Sequence, residues 1–397
     1  MNKRIVVIFL ILVFLNCISF FRVEANIEQD FKILDGTLIK GDAPEVFLIK
    51  FEKRHWIKTP KVFSSLGYKW QDIIKLSNQE INQYALGAII ASVDDLDELD
   101  KEEAASPERG EPRPEDSGRE PIIRIGIYSA QNGELFKITA NGPYEIYRNN
   151  QFLAIKNKGE IFEIRINHRI GFKFMPKTKD TIFEVDTYKF RGNIELKYSV
   201  KSKQVWIINE LGLEEYLKGV AELIDTYPIE CLKSLIIAAR SYAFFHIKNS
   251  GKYPGEIFHL RNWAYDQVYQ GYEFELKSPN VARAVEETKG IIATYPPAGE
   301  AGNNKPILGV FSSDSGGITK DACKVWGEEF CGEEYNYLRG GIKDPKEAIH
   351  NKEAVKVSHG VGISAIGARK LAEKEKTYQE ILKYYYQGIE LGVLYSI

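Results

Sequence analysis

The sequence predicts an α+β protein whose parts follow one another along 397 residues. Three observations predict this class: an apolar run behind a basic N-terminus, an acidic segment almost without large apolar residues, and a change from period-two to helical patterning beyond Gly212. With 44% hydrophobic and 27% charged residues, the composition is that of a globular chain with a real core. We expect a β-rich N-terminal module, a disordered acidic linker and a two-part α+β region with a groove.

The first 25 residues have the pattern of a secretory signal. Lys3 and Arg4 precede an apolar run from Ile5 to Phe21, and Val23-Glu24-Ala25 supplies small residues at the positions that a signal peptidase needs. An uncleaved single-span anchor is the alternative, because a run of ~17 residues is at the short limit for crossing a bilayer. In either case we expect the remainder to be extracytoplasmic, secreted or in the cell envelope, with membrane attachment only through such an anchor.

Residues 31–93 are predicted to form a small β-rich accessory module. Strand-like runs at 37–39, 46–49 and 55–57 alternate with Asp-Gly and Gly-Asp turn signals, and a short helix is expected over 70–76. The segment DGTLIKG…VFLIK…RHWIKTPKVFSSLGYKWQDIIKLS resembles a module of bacterial envelope proteins. That resemblance implies a wall-binding or spacer role, and a purely structural cap is the alternative.

Residues 94–120 are predicted to be a disordered linker. They hold twelve acidic and four basic residues, a net charge of −8, and three prolines. Such a segment cannot bury enough apolar surface to offset the entropy of ordering, and its charges repel one another. We expect it to tether the small module without fixing its position.

Residues 121–397 are predicted to form one two-part domain. Period-two alternation at 123–127, 136–138 and 162–166 predicts strands. Pro228 then opens a helix to about Lys248, in keeping with the tolerance of proline in a first helical turn. One face of this helix is predicted to be apolar, formed by Leu232, Leu235, Ile236, Ala239 and Tyr242 or Ala243.

Four motifs appear in order within this domain. They are LGLEEYLKGVAE…YPIECLKSLIIAARSYAFFH, YDQVYQGY, ETKGIIATY…GVFSSDSGGITKDACKVW and SHGVGISAIGARKLAEKEKTYQEILKYYYQGI. In these motifs the chain resembles the stage II sporulation protein D/amidase enhancer LytB family, which carries the SpoIID domain. The resemblance implies a lytic transglycosylase that cuts peptidoglycan glycan strands. It also implies glycan already stripped of peptides, with a cell-wall amidase working upstream.

The family's catalytic acid corresponds to Glu222, six residues before Pro228. One carboxyl suffices for this chemistry, because it protonates the leaving glycosidic oxygen and then accepts the proton of the attacking muramic acid hydroxyl. Its pKa must be raised by an apolar, partly desolvated pocket, and the neighbours of Glu222 are apolar enough for that. Two-carboxylate hydrolysis, with Asp225 or Asp266 as the second group, is the alternative.

The resemblance also implies a set of glycan-binding residues. An internal salt bridge is the alternative for Arg240, and an active-site role that orients substrate or Glu222 is expected of His359. Two departures stand out: only two residues separate Gly219 from Glu222, and Ala365 replaces the glutamine usual after Ser364. The full set is Arg240, Ser241, Tyr242, Asp266, Gln267, Tyr269, Ser313, Ser315, Gly316, Gly317, His359 and Ser364.

Other classes of function find little support. In an oxidising compartment Cys323 and Cys331 could close a loop disulfide, and their spacing is a poor one for a metal. Cys231 is expected to be a buried apolar residue. Neither a cofactor nor a metal is expected, and no nucleic-acid motif stands out. A non-catalytic glycan-binding activator of a cell-wall amidase is the main rival function, and a structural wall anchor is the third.

Overall fold

The computed structural model describes residues 37–50, 53–66, 68, 70, 73–92, 94–95, 119–149, 151–166, 171–296 and 304–395. The predicted signal segment, residues 1–25, lies outside the described residues, and so does the acidic linker from 96 to 118. Within the described ranges, none of the helices is long and apolar enough to cross a membrane. The chain divides into two compact units, one comprising the described residues up to Trp56 with Trp70–Ala88 and the other comprising the rest.

The first unit is built on a five-stranded sheet with the spatial order β4-β1-β2-β3-β5. Its small core contains Ile39, Ile49, Ile81 and Tyr84. The strands are β1 (Leu38–Lys40), β2 (Val46–Lys50), β3 (Lys53–Ile57), β4 (Ile74–Lys75) and β5 (Ala85–Leu86), and this part of the sequence also contains helices α1 (Pro60–Ser65) and α2 (Asn78–Ile81).

The predicted strands of this region are confirmed, but the helix predicted over 70–76 is wrong. Ile74 and Lys75 form strand β4, which runs parallel to β1 with Ile74 opposite Ile39. The amide of Leu76 also donates to the carbonyl of Lys40 at 2.9 Å. Pairing with the sheet edge gives hydrogen-bond partners to backbone N–H and C=O groups, which in an isolated helical turn would bind only water. The tertiary contact therefore decides the local structure.

The second unit begins with two antiparallel β-sheets. The larger has the order β16-β6-β15-β14-β11-β8-β9, with only β16 parallel to its neighbour, and the smaller has the order β10-β7-β12-β13. The strands are β6 (Ile122–Ala130), β7 (Leu135–Ala140), β8 (Tyr144–Arg148), β9 (Gln151–Lys156), β10 (Phe162–Arg165), β11 (Gly171–Pro176), β12 (Phe183–Val185), β13 (Tyr188–Phe190), β14 (Asn193–Ser199), β15 (Gln204–Gly212) and β16 (Leu260–Arg261).

Aromatic rings join the two sheets. Tyr144 of β8 contacts Phe183 of β12 edge to face, with ring centroids 5.4 Å apart. Phe162 of β10 meets Phe174 of β11 in the same way, also at 5.4 Å. The inward residues of the period-two runs thus form a common core, as the alternation predicts.

Helices and short strands complete the unit. The helices are α3 (Leu213–Lys218), α4 (Ile229–Lys248), α5 (Tyr272–Lys277), α6 (Pro279–Glu287), α7 (Ala322–Trp326), α8 (Lys352–Val357), α9 (Ala365–Glu373) and α10 (Tyr378–Tyr385), with 3-10 turns at Glu328–Phe330 and Glu333–Leu338. The strands β17 (Ile291–Tyr295), β18 (Lys305–Pro306) and β21 (Glu390–Val393) form one small sheet, and β19 (Phe311–Ser312) and β20 (Ile363–Ser364) form another. The predicted α+β class is confirmed.

Helix α4 is the centre of the helical part. The face predicted to be apolar is buried, but so are Ile237, Ala238 and the charged Arg240 on other faces. A helix covered on all sides is a core helix, and α6, α9, α10 and β17 surround it. Cys231 is a free, buried cysteine near its start, as expected, while Cys323 and Cys331 form a disulfide with a Cα–Cα distance of 4.7 Å.

Candidate active site

The loop between α3 and α4 carries Glu222, and a second segment of the chain holds this loop in place. The amide of Ala221 donates to the carbonyl of Val268 at 2.7 Å, and the amide of Gln270 donates to the carbonyl of Gly219 at 2.9 Å. Between them Val220 pairs with Tyr269. This short antiparallel ladder joins the first and second sequence motifs, and it fixes the backbone that leads directly into Glu222.

Gly219 is needed for this close approach. A Cβ atom at this position would lie 2.5 Å from the ring of Tyr269 and 3.0 Å from the backbone of Gly271. Real side chains do not tolerate contacts of this length, so the glycine lets the two segments meet.

The carboxyl group of Glu222 is partly buried between apolar neighbours. Val220 and Leu223 on either side of it are buried, and the amide of Val268 donates to Oε1 of Glu222 at 3.2 Å. Burial raises the pKa of Glu222 to about 7; the bond from Val268 opposes the rise, and the charge of Asp266 adds to it. A carboxyl group with such a pKa is protonated in a large fraction of molecules near neutral pH, as a general acid requires.

Asp266 lies beside Glu222 and is fully engaged by the protein. Its carboxylate accepts bonds from the hydroxyl of Tyr253 at 2.9 Å and from the amide of Arg261 at 2.6 Å. The ammonium group of Lys252 forms a salt bridge to it at 2.7 Å and donates to the hydroxyl of Tyr242 at 3.1 Å. This network places a fixed negative charge next to Glu222 and leaves no oxygen of Asp266 without a donor.

Gln267 and Tyr269, which were expected at a sugar subsite, are buried beneath the ladder instead. Gln267 accepts from the hydroxyl of Tyr216 at 2.9 Å and donates to the carbonyl of Ala239 at 3.3 Å. The hydroxyl of Tyr269 donates to Asn209 at 2.7 Å. These side chains therefore support the segment that holds Glu222, and they do not face solvent.

The structure corrects the expected substrate-binding role of Arg240. Its guanidinium group is fully buried and makes a bidentate salt bridge to Glu214, at 2.9 and 2.6 Å. It also donates to the carbonyl of Ile291 at 3.0 Å. Ser241 is equally internal, because its hydroxyl donates to Ile237 and accepts from the amide of Ala293. Both residues stabilise the packing of α4.

Asp225, one candidate for a second carboxylate, lies at the start of α6. Its carboxylate accepts from the backbone amides of Asn280 and Val281, at 2.8 and 2.9 Å. Negative charge at a helix N-terminus is favourable, so a structural role accounts for this residue.

The motif residues from 313 to 317 and Ser364 belong to a separate cluster around Asp344. Its carboxylate accepts hydroxyl bonds from Ser315, Ser364 and Tyr385, each 2.7 Å long. Ser364 also caps α9 by accepting from the amide of Gly367. Ser315 and Ser364 are thus committed to internal bonds, which corrects their assignment to substrate.

The glycines of this cluster lie on a turn with positive φ, 73° for Gly316 and 99° for Gly317. Both glycines were expected to bind glycan, but the amide of Gly316 donates to Asp314 and that of Gly317 donates to Ser315. Ser313 is exposed at the edge of the turn.

Asp314, Asp344 and His350 could together offer ligand atoms to a metal ion, since these atoms lie within 4.8 Å of one another. Each carboxylate oxygen of the two aspartates is already occupied by protein donors. Nδ1 of His350 lies 2.7 Å from Asp314, whose other oxygen accepts from the amide of Asn351. Burial opposes ionisation of Asp314, but the bonds from Gly316, His350 and Asn351 outweigh it and lower its pKa. A closed hydrogen-bond network accounts for the cluster.

His359, for which an active-site role was expected, has both ring nitrogens in contact with backbone groups. Nε2 lies 3.1 Å from the carbonyl of Phe311, and Nδ1 accepts from the amide of Val361 at 3.0 Å. Burial lowers the pKa of His359 to about 4, so the ring is neutral at physiological pH. With both nitrogens bound to backbone, this side chain fixes its loop and has no nitrogen left for a substrate.

Sequence reasoning missed several residues of the site. Lys252 and Tyr253 hold Asp266, and Arg261 lies on the strand beside them. None of them is in the motifs considered. Arg261 and Trp263 lie just before the YDQVYQGY motif, which begins with Tyr265, and this run of an arginine and two aromatic residues was the signal that could have indicated an aromatic binding surface.

Fold and site together define an α+β protein in which the partly buried carboxyl group of Glu222, with its raised pKa, is suited to general acid–base chemistry. Residues 201–295 match the family model for SpoIID, the Stage II sporulation protein, and the chain is also similar to relatives named Stage II sporulation protein D and amidase enhancer. The matched segment contains Glu222 and both strands of the ladder.

The relatives are distant. The Stage II sporulation protein D of Bacillus subtilis is 24% identical over 47% of this chain and 76% of its own length. The amidase enhancer of Bacillus subtilis is 24% identical over 83% of this chain but only 43% of its own length, so this chain spans less than half of that protein. An uncharacterized protein of Brachyspira hyodysenteriae is 25% identical over 68% of this chain and 92% of its own length.

Proposed function

We propose that this protein is a peptidoglycan lytic transglycosylase acting on peptide-stripped glycan strands. It cleaves the MurNAc–GlcNAc bond with Glu222 alone and leaves 1,6-anhydro-MurNAc ends. The observation that carries the proposal is the position of Glu222, which directly follows the ladder between residues 219–221 and 268–270. Its carboxyl group accepts a hydrogen bond from the amide of Val268, and burial raises its pKa to about 7.

The mechanism uses one carboxyl group twice. Protonated Glu222 gives its proton to the glycosidic oxygen as the bond to the anomeric carbon breaks. The carboxylate then accepts the proton of the C6 hydroxyl of the same muramic acid as that oxygen attacks the anomeric carbon. A pKa near the working pH suits both directions of transfer. No water molecule is consumed, so no second carboxylate is required.

The hydrolytic alternative needs a free second carboxylate, either to activate water or to act as a nucleophile. Asp225 is bound to the N-terminal amides of α6, and Asp266 is bound to Tyr253, Lys252 and the amide of Arg261. Neither aspartate has an oxygen without a donor. These contacts favour the single-carboxyl mechanism.

A cell-wall role also implies where the chain works. We propose an extracytoplasmic protein, exported by the signal at residues 1–25 or anchored by it. In this arrangement the module at 31–93 is tethered by the linker at 94–120, and residues 121–397 form the catalytic domain. The names of the relatives, a sporulation protein and an amidase enhancer, support a place in the cell envelope.

One rival function has an observation in its favour. A relative that is similar over 83% of this chain is named an amidase enhancer. A glycan-binding protein that activates a cell-wall amidase would need the fold but not the acidity of Glu222.

Product analysis separates the two functions. The purified protein is incubated with amidase-treated peptidoglycan, and soluble fragments are identified by mass spectrometry. Fragments with 1,6-anhydro ends support the transglycosylase. Intact glycan, together with faster peptide release when a cell-wall amidase is added to untreated peptidoglycan, supports the activator and overturns the proposal.

A further inference from the structure

Strand β9 forms one edge of the larger sheet of the second unit. On one side it pairs with β8, and no described strand pairs with its other side. An edge strand presents a row of backbone N–H and C=O groups that can pair with a strand of another chain. With 6 residues, β9 is the longest edge strand among the sheets that the structure describes, and its sequence contains no proline.

Three large apolar side chains of β9 are exposed, Phe152 at 57%, Leu153 at 47% and Ile155 at 50%. We call these three residues the β9 patch. Single exposed apolar residues are common on protein surfaces, but neighbouring ones along an unpaired strand edge are an aggregation hazard unless another chain covers them. Their exposure therefore indicates an interaction surface.

Phe152 and Ile155 lie on the outer face of the larger sheet, away from the core. Residues directly opposite each other in an antiparallel pair share a face. Phe152 is opposite Tyr147, with ring centroids 5.8 Å apart, and Ile155 is opposite Glu145. Tyr147 and Glu145 flank the buried Ile146 in β8, and side chains alternate between the two faces along a strand. Both apolar side chains therefore project outward beside the unpaired edge.

The edge carries little of the protection that natural edge strands usually have. Lys156, at one end of β9, is its only charged residue, and it forms a salt bridge to Glu160 at 3.6 Å. The other protective feature is a β-bulge at Leu153, which has no residue opposite it in β8. Residues 151–155 therefore offer an approaching strand an uncharged edge.

A second copy of the same strand is a partner that fits this edge. A two-fold axis perpendicular to the sheet brings two β9 strands together antiparallel, and such isologous contacts are the commonest in homo-oligomers. The rotation keeps the outer faces of both sheets on the same side, so the two β9 patches meet at the joined edge. It also places the two copies of Lys156 at opposite ends of the paired strands, whereas parallel pairing would bring these like charges together.

We propose that the protein forms a two-fold symmetric dimer in which the β9 edges of two copies pair antiparallel. The larger sheet of each copy then continues into that of the other. The β9 patch supplies on the order of 250 Å² of apolar surface per copy, so the interface belongs to the small, weak class, with a dissociation constant of about 10–500 µM. The dimer joins two copies of Glu222 in one particle, and the inference holds whether or not Glu222 is catalytic.

Sedimentation velocity from about 5 µM to about 1 mM, a range that brackets this dissociation constant, tests the pairing. The wild type is expected to change from monomer to dimer over this range, at low and at high salt alike, because the contact is apolar. Leu153→Lys places a charge on the joined edge and should raise the dissociation constant at least about tenfold. Val393→Lys, at an exposed apolar position of the edge strand β21, is the matched control and should leave the dimer intact.

A pair of opposite charges tests whether the partner is the same strand of a second copy. Leu153→Lys and Leu153→Glu should each be monomeric alone, and their equimolar mixture should form a dimer, because opposite charges then meet across the axis. This mixed dimer should weaken as salt is added, and its formation also shows that both variants are folded. A wild type that stays monomeric at every concentration, dimers that persist unchanged in both variants, or a mixture that remains monomeric would overturn the inference.

Discussion

The backbone amide of Val268 donates a 3.2 Å hydrogen bond to the carboxyl group of Glu222, 46 residues earlier in the chain. A bond of this kind favours the ionised carboxylate, yet burial outweighs it and raises the pKa of Glu222 to about 7. Glu222 is therefore held in position without being confined to its charged form. This balance is the physical basis of the predictions about acid–base behaviour.

Asp266→Asn should shift the pH dependence of activity. Removal of the negative charge lowers the pKa of Glu222, and the freed ammonium group of Lys252 lowers it further. Because Glu222 must be protonated at the start, kcat/KM falls as pH rises through its pKa, and the variant should lose activity at lower pH than the wild type. The pH profile of kcat/KM measures this shift. Asp225→Asn is the matched control. If the fall of kcat/KM at high pH occurs at the same pH in Asp266→Asn as in the wild type, the account is contradicted.

Glu222→Gln should stabilise the fold at alkaline pH. The folded pKa of about 7 lies above the ordinary value of 4.5, so the wild type loses stability as pH rises from about 4.5 through 7, whereas the neutral amide of the variant does not titrate. We expect the free energy of unfolding of the variant to exceed that of the wild type by up to about 3 kcal/mol above pH 8, and the difference to vanish below pH 4. Urea unfolding at both pH values measures it.

The control for this comparison is Glu353→Gln, at a largely exposed site paired with Lys356. It should leave the pH dependence of stability as it is. Equal stability of wild type and Glu222→Gln at every pH would mean that the carboxyl group of Glu222 is not desolvated.

Arg240→Met should destabilise the protein without altering its recognition of glycan. The substitution leaves the buried carboxylate of Glu214 without its bidentate partner, a loss of about 3–5 kcal/mol. Arg283→Met removes an exposed pair and should cost at most about 1 kcal/mol. Denaturant unfolding compares the two variants. A stable Arg240→Met protein with weakened glycan binding would restore the substrate-binding role first expected of this arginine.

Reduction of the Cys323–Cys331 disulfide should lower stability by about 2–3 kcal/mol. The cysteines are 8 residues apart, and a short loop of this size removes a modest amount of entropy from the unfolded chain. Unfolding midpoints with and without reductant measure the effect. The Cys323→Ser/Cys331→Ser variant should match the reduced wild type and be insensitive to reductant. Unchanged midpoints on reduction would show that the bridge contributes nothing.

Much of the fold could be predicted from local patterns. Period-two alternation predicted strands such as β6 and β10. Pro228 and the helical spacing of the apolar residues after it predicted α4. Both predictions succeed because side-chain periodicity follows directly from backbone geometry. Strand β4 could not be found in this way. Its pairing with β1 is a contact between segments far apart in the sequence, and it overrides a weak helical pattern.

The site was less accessible to sequence reasoning. The motifs indicated Glu222 and the segment from Asp266 to Tyr269, but not that Gln267 and Tyr269 point into the core. Motif residues are alike in sequence whether they bind substrate or support the fold, and only burial separates the two, as Arg240 and His359 demonstrate.

Cleavage of amidase-treated peptidoglycan in ¹⁸O-labelled water, with wild-type protein and with Glu222→Gln, tests the central claim most directly. The account predicts unlabelled 1,6-anhydro-MurNAc ends from the wild type, because the attacking oxygen comes from the sugar, and no new ends from the variant. Reducing ends that carry ¹⁸O at the anomeric carbon, or anhydro ends formed equally well by Glu222→Gln, would contradict it.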